Sequence, residues 1–109
     1  MTLPEAYDSI LHAGTDMEAH IPRLRALAAG NRVIEFGTRR GISTTAMLDG
    51  RPQWLVTYDL VRTDDITGIE RMSEEAGVEF DFVQADIDRL PRFPTATSYS
   101  STRPTMPSP

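Results

Sequence analysis

The sequence predicts an α/β fold, a doubly wound parallel sheet with helical crossovers, and three observations predict it. Short apolar runs recur at residues 32–36, 54–60 and 79–84 of the 109-residue chain. Stretches with helical spacing separate them, so consecutive strands run parallel. Each run closes on a polar or acidic end: Glu35 and Gly37, then Asp59, then Asp86. Parallel strands carry those ends to one rim of the sheet.

The elements follow in chain order. Residues 4–13 read as a short helix with Ala6, Ile10 and Leu11 on one face, stopped by Gly14. Thr15 or Asp16 is placed to cap a second helix, in which Met17, Ile21, Leu24, Leu27 and Ala28 recur at helical spacing. Pro22 disturbs its start, and Gly30 with Asn31 ends it. The first strand is 32–36. A helix over 43–48, capped by Ser43, ends near Gly50. Pro52 lies in a loop before the second strand. Asp64 or Asp65 then caps a helix through Ile69, Met72 and Ala76, closed by Gly77, and the third strand follows. The order is α-α-β-α-β-α-β.

Composition bounds the function. The formal charge is −5, and the eleven basic residues, all arginine, are scattered. Nucleic acid is therefore not expected as a partner. There is no cysteine, hence no disulfide framework and no thiolate metal site. His12 and His20 have no metal-ligand spacing. No apolar run approaches the roughly 20 residues of a membrane span, and the N-terminus lacks the basic and apolar regions of a signal peptide. A cytoplasmic protein is expected.

The chain divides at residue 92. Nine arginines against all sixteen acids leave residues 1–91 at −7, and the tail, 92–109, carries +2. The tail is rich in Ser, Thr and Pro and has no acid. It cannot build a core, so it reads as disordered.

The stretch VIEFGTRRGISTT, residues 33–45, is the chemical centre of the sequence. A strand, a glycine turn and a helix start bring backbone N–H groups up to an anionic or nucleotide-like ligand. Asp59, about 20 residues beyond Gly37, is spaced as a ribose-binding acid. The blander reading is an ordinary strand-to-helix turn followed by loop acids; the convergence of three strand ends favours a ligand. The fingerprint G-x-G-x-x-G is absent, because Thr38, Arg39 and Arg40 fill the turn between Gly37 and Gly41. A nicotinamide cofactor is thereby disfavoured. Ser43 and Thr44 have no base at hand to make either a nucleophile, so capping is the better reading.

These residues resemble class I S-adenosylmethionine-dependent methyltransferases, and more closely the small-molecule group whose first motif reads like EFGTRRGxST. The resemblance covers residues 31–90 and implies a Rossmann-like sheet. It implies that Glu35, Gly37, Thr38 and Gly41 form the loop around the methionine end of S-adenosylmethionine and that Ser43 starts the adjoining helix. Asp59 of TYDL would hold the ribose hydroxyls, and Asp86 of VQADI would lie near the adenine. The chain departs from the commonest form of the motif at Arg39, where many relatives carry glycine.

Such a methyltransferase has seven strands, with the first between the second and the fourth; only three are legible here. The expectation is therefore a sheet truncated after its third strand, with residues 1–91 as a partial cofactor-binding domain. The edge of strand one would stand open to aggregation or self-association. The genetic code offers an account of the tail. Read one base out of frame with TC-type serine codons, residues 97–101 yield an unbroken apolar run, which a carboxylate can follow. The tail would then be the fourth strand in a shifted frame. The expected function is the cofactor-binding half of an enzyme that transfers methyl groups to a small-molecule acceptor, inactive in this form, with no catalytic residue nameable. The alternatives are a non-enzymatic cofactor- or nucleotide-binding module completed by a partner chain and, more remotely, an NAD-dependent oxidoreductase.

Overall fold

The structure is a computed structural model, and it describes residues 1–14, 19–86 and, for the backbone, 97–100. Helix α1 (Leu3–Leu11) starts at a reciprocal cap. Thr2 Oγ1 accepts from the Glu5 N–H at 3.3 Å, and Glu5 Oε1 accepts from the Thr2 N–H at 2.8 Å. The Thr2 backbone N–H, helped by the Thr2 hydroxyl, holds the Glu5 carboxyl below its ordinary range. Helix α2 (Ile21–Ala28) carries Pro22 in its first turn. A missing N–H costs nothing there, so Pro22 opens the helix instead of disturbing it. The expected caps Thr15 and Asp16, and Met17, lie outside the described residues.

The remaining elements are β1 (Arg32–Phe36), α3 (Ile42–Asp49), β2 (Trp54–Asp59), α4 (Asp64–Ala76), β3 (Glu79–Gln84) and β4 (Thr97–Ser100). All strands are parallel, in the order β3-β2-β1-β4. The α/β class and the parallel sheet agree with the sequence reading. One feature of the sheet does not: it has a fourth strand. Thr97 pairs with Val33 and Ser100 with Phe36. The sheet is not truncated after its third strand, and β1 is not an open edge. Among the described residues its outer edges are β3 and β4. The rest of the expected tail lies outside the described residues.

The register sorts the side chains by face. Val33, Leu55 and Phe80 align in one row and Glu35, Thr57 and Phe82 in the next. That face carries the helices. The steps β1-α3-β2 and β2-α4-β3 advance in one direction, and right-handed crossovers place both helices on the same side. Helix α1 packs on α3 and α4, and α2 packs on α3. The core joins Val33 and Leu55 of the sheet to Leu3, Ile21, Met47, Leu48, Ile66 and Ile69. Gly50 allows the α2–α3 approach, since a Cβ there would lie 2.1 Å from the Arg25 carbonyl oxygen. Asp49, buried beside it, has Arg25 Nε 3.0 Å from its Oδ2, out of line for a hydrogen bond.

The chain thus winds from β1 outward to β3 and returns to β4 on the other side of β1. That reversal makes the carboxyl end of β1 the topological switch point, where open α/β sheets hold ligands.

Candidate functional site

The site is built on the loop that leaves β1 at this switch point. Gly37 has φ 94 and donates its N–H to the Tyr58 carbonyl at 2.7 Å, which seats the loop on β2. Gly41 has φ 84, and its N–H closes a turn on the Thr38 carbonyl at 2.9 Å. A Cβ at Gly41 would also meet Ile69 Cδ1 at 2.3 Å. Between the glycines, Arg39 adopts φ 52, a conformation few non-glycine residues take. Its side chain is exposed.

Gly41 is the N-cap of α3, and Ile42 is its first residue. Ser43 is therefore not the expected cap. Its hydroxyl turns to Glu35, donating to Oε2 at 2.5 Å. Glu35 is fully buried. Its Oε1 accepts from Thr57 Oγ1 at 2.9 Å and from Thr44 Oγ1. Thr38 Oγ1 lies 2.5 Å from Thr57 Oγ1. With the Thr57 proton committed to Glu35, Thr38 is the donor of that bond. This network ties β1, β2, the loop and the first turn of α3 together under the rim. Burial pushes the Glu35 carboxyl up to about 7 against the pull of its three hydroxyl donors, with a further upward push from Asp59.

Asp59 ends β2. Its Oδ2 accepts the Arg39 N–H and its Oδ1 the Leu60 N–H, each at 2.7 Å. A carboxylate has about four lone-pair sites, so each oxygen can accept a second donor. The first of these bonds also holds Arg39 in its left-handed conformation. Leu60 and Val61, next along the chain, are 60% and 62% exposed. This apolar step beside the acid was not singled out from sequence, though its signal was present in the apolar pair after Asp59. The Ala85 N–H donates to the Asp59 carbonyl at 2.9 Å and Gln84 Nε2 to the Leu60 carbonyl at 2.9 Å. These bonds bring exposed Asp86 to the same rim.

The residues read from sequence thus fall into two layers. Glu35, Thr38 and Ser43 form a buried support; Gly37, Gly41, Asp59 and Asp86 line the carboxyl ends of the strands. An open depression of about 370 Å³ lies to one side, lined by Arg40, Gly41, Ile42 and Thr45 with Asp65 and Ile69 of α4. It does not include the acids of the rim. We place the site at the rim, because the switch point and the convergent polar groups lie there. His12 Nδ1 bonds to the Asp8 carbonyl at 2.9 Å, within its own helix. Among the described residues no helix is long and apolar enough to cross a membrane.

No protein-family model matches the sequence, and no curated protein matches it. Solved structures do match. One is an S-adenosylmethionine-dependent methyltransferase from Mesorhizobium loti, with a TM-score of 0.53 and 20% identity, covering 81% of this chain and 40% of that one. Another is the Trypanosoma brucei PRMT1 enzyme-prozyme heterotetrameric complex with AdoHcy, with a TM-score of 0.50 and 17% identity, covering 77% of this chain and 27% of that one. The chain therefore spans less than half the length of either structure, and over that span it shares their fold.

Proposed function

We propose that this chain is the cofactor-binding part of an S-adenosylmethionine-dependent methyltransferase acting on a small-molecule acceptor. The observation that carries the reading is the junction of Asp59 with the Arg39 N–H. It joins the β1 loop to the end of β2 at the switch point and leaves acceptor capacity on the carboxylate.

The residues fit S-adenosylmethionine. The spare lone pairs of Asp59 suit a ribose diol, and Leu60 and Val61 offer an apolar surface to a purine. The first N–H groups of α3 have no intrahelical acceptors and suit the carboxylate of the methionine end. Gly37 and Gly41 keep the loop backbone open to close approach, and the exposed carboxylate of Asp86 on the same rim suits the amino edge of an adenine. Glu35, Thr38 and Ser43 hold that loop from beneath. When bound, S-adenosylmethionine supplies an electrophilic methyl group on a sulfonium. The chain's own contribution is to bind and orient it. No base for a protonated acceptor is assigned, and the isolated chain is expected to transfer no methyl group.

The rival module reading took its motive from an open edge on β1, which β4 covers. Isothermal titration of the purified chain with S-adenosylmethionine and with NADH tests the proposal. Saturable heat with the first and none with the second is expected. Preferential binding of NADH would return the chain to the oxidoreductase reading.

A further inference from the structure

The support under the loop contains a charge that the binding contacts do not use. Glu35 is fully buried, and its two oxygens take three hydroxyl donors from α3 and β2. We propose that this carboxylate, fixed behind the β1 loop, is the element by which the chain favours the sulfonium cofactor over the neutral thioether that remains after methyl transfer. The inference rests on the cofactor reading above. Its physical ground is simple. The two ligands differ by one methyl group and one positive charge at sulfur. A negative charge held in low dielectric acts on that difference over several ångströms, where a solvated one is screened.

The surroundings leave Glu35 as the variable charge. Helix α3 presents the hydroxyls of Ser43 and Thr44, and its single charged residue, Asp49, sits at the far end near Arg25 and Arg51. Strand β2 brings Thr57 and, at its end, Asp59, whose carboxylate repels that of Glu35. The loop brings Thr38 inward, with Arg39 and Arg40 exposed. Strand β4 sets Tyr99 at the register position beside Glu35.

The charge also has a proton-dependent counterpart. The ionised carboxylate accepts all three hydroxyl protons. The neutral acid must donate one of its own, so one hydroxyl has to turn away. Burial brings this change to about pH 7. A cation is favoured by the ionised form, so preference for the sulfonium rises with pH.

Isothermal titration of the whole chain with S-adenosylmethionine and S-adenosylhomocysteine, between pH 5.5 and 8, reads this preference as a ratio of affinities. Wild type should shift toward the sulfonium by about threefold or more across the range. Glu35→Gln keeps the ligands' own titrations and loses the carboxylate, so its ratio should stay flat after those are subtracted. Thr57→Val removes a donor that steadies the ionised form, so the midpoint should move to higher pH. The inference is overturned if both ligands bind with a ratio that ignores pH in wild type, or that changes equally in Glu35→Gln. Should Glu35→Gln not fold, an unmoved midpoint in Thr57→Val overturns it. If neither ligand binds at any pH, the cofactor reading itself fails and this inference with it.

Discussion

Glu35 is an acid inside an apolar strand, and the sequence alone gives no hint of what receives it. Three hydroxyls do, from residues 8, 9 and 22 positions away. They do not offset the whole cost of burial, which is why its carboxyl rises from the ordinary 4.5 to about 7. The folded state therefore holds a proton that the unfolded chain releases. Relative to Glu35→Gln, the wild-type fold is unpenalised below about pH 4.5. It loses stability as pH rises toward 7, and about 3 kcal/mol separates the limits. Urea unfolding of both proteins at several pH values measures this; parallel curves would contradict it. Gly50 is the second residue on which packing turns. The atom nearest an added Cβ is a backbone oxygen, which cannot swing aside. Gly50→Ala should cost about 2 kcal/mol, read as a lower urea midpoint, with ligand heat retained at saturation.

At the scale of elements, much was legible. Three strands, the helices between them and the glycines that end them follow from periodicity and turn chemistry. Boundaries that depended on tertiary contacts were not. Ser43 looks like a cap until Glu35, on the neighbouring strand, draws its hydroxyl inward. Pro22 looks like an interruption until the helix is seen to begin one residue before it. Strand β4, read as TSYS, has no apolar run to announce it, and its pairing with β1 spans more than sixty residues. Hydropathy cannot register a strand selected by a partner that distant. Asp59 was found by spacing, but its bond to the Arg39 N–H, which excuses an arginine from a glycine's place, is a contact only the fold reveals. The start of α1 is the cleanest local signal. Thr2→Ala removes the side-chain half of a capping box and should cost about 1 kcal/mol, measured by thermal unfolding; no change would mean that packing of Leu3 alone fixes the helix start.

For the molecule as a whole, the order β3-β2-β1-β4 does more than any single residue to locate function. It puts the reversal of winding at β1, and the chain spends its glycines, its free helix start and its rim acids at that point. The described helices line one face, and the strand ends with the loops after them form the sheet's carboxyl rim. The open depression between α3 and α4 offers a competing location a few residues away. Backbone amide NMR of the isotope-labelled chain, titrated with S-adenosylhomocysteine, separates the two. Shifts concentrated at residues 37–43, 59–61 and 85–86 are what the rim site requires. Shifts confined to Ile10, Asp65, Ile69 and Met72, or an unchanged spectrum at saturating ligand, would contradict it.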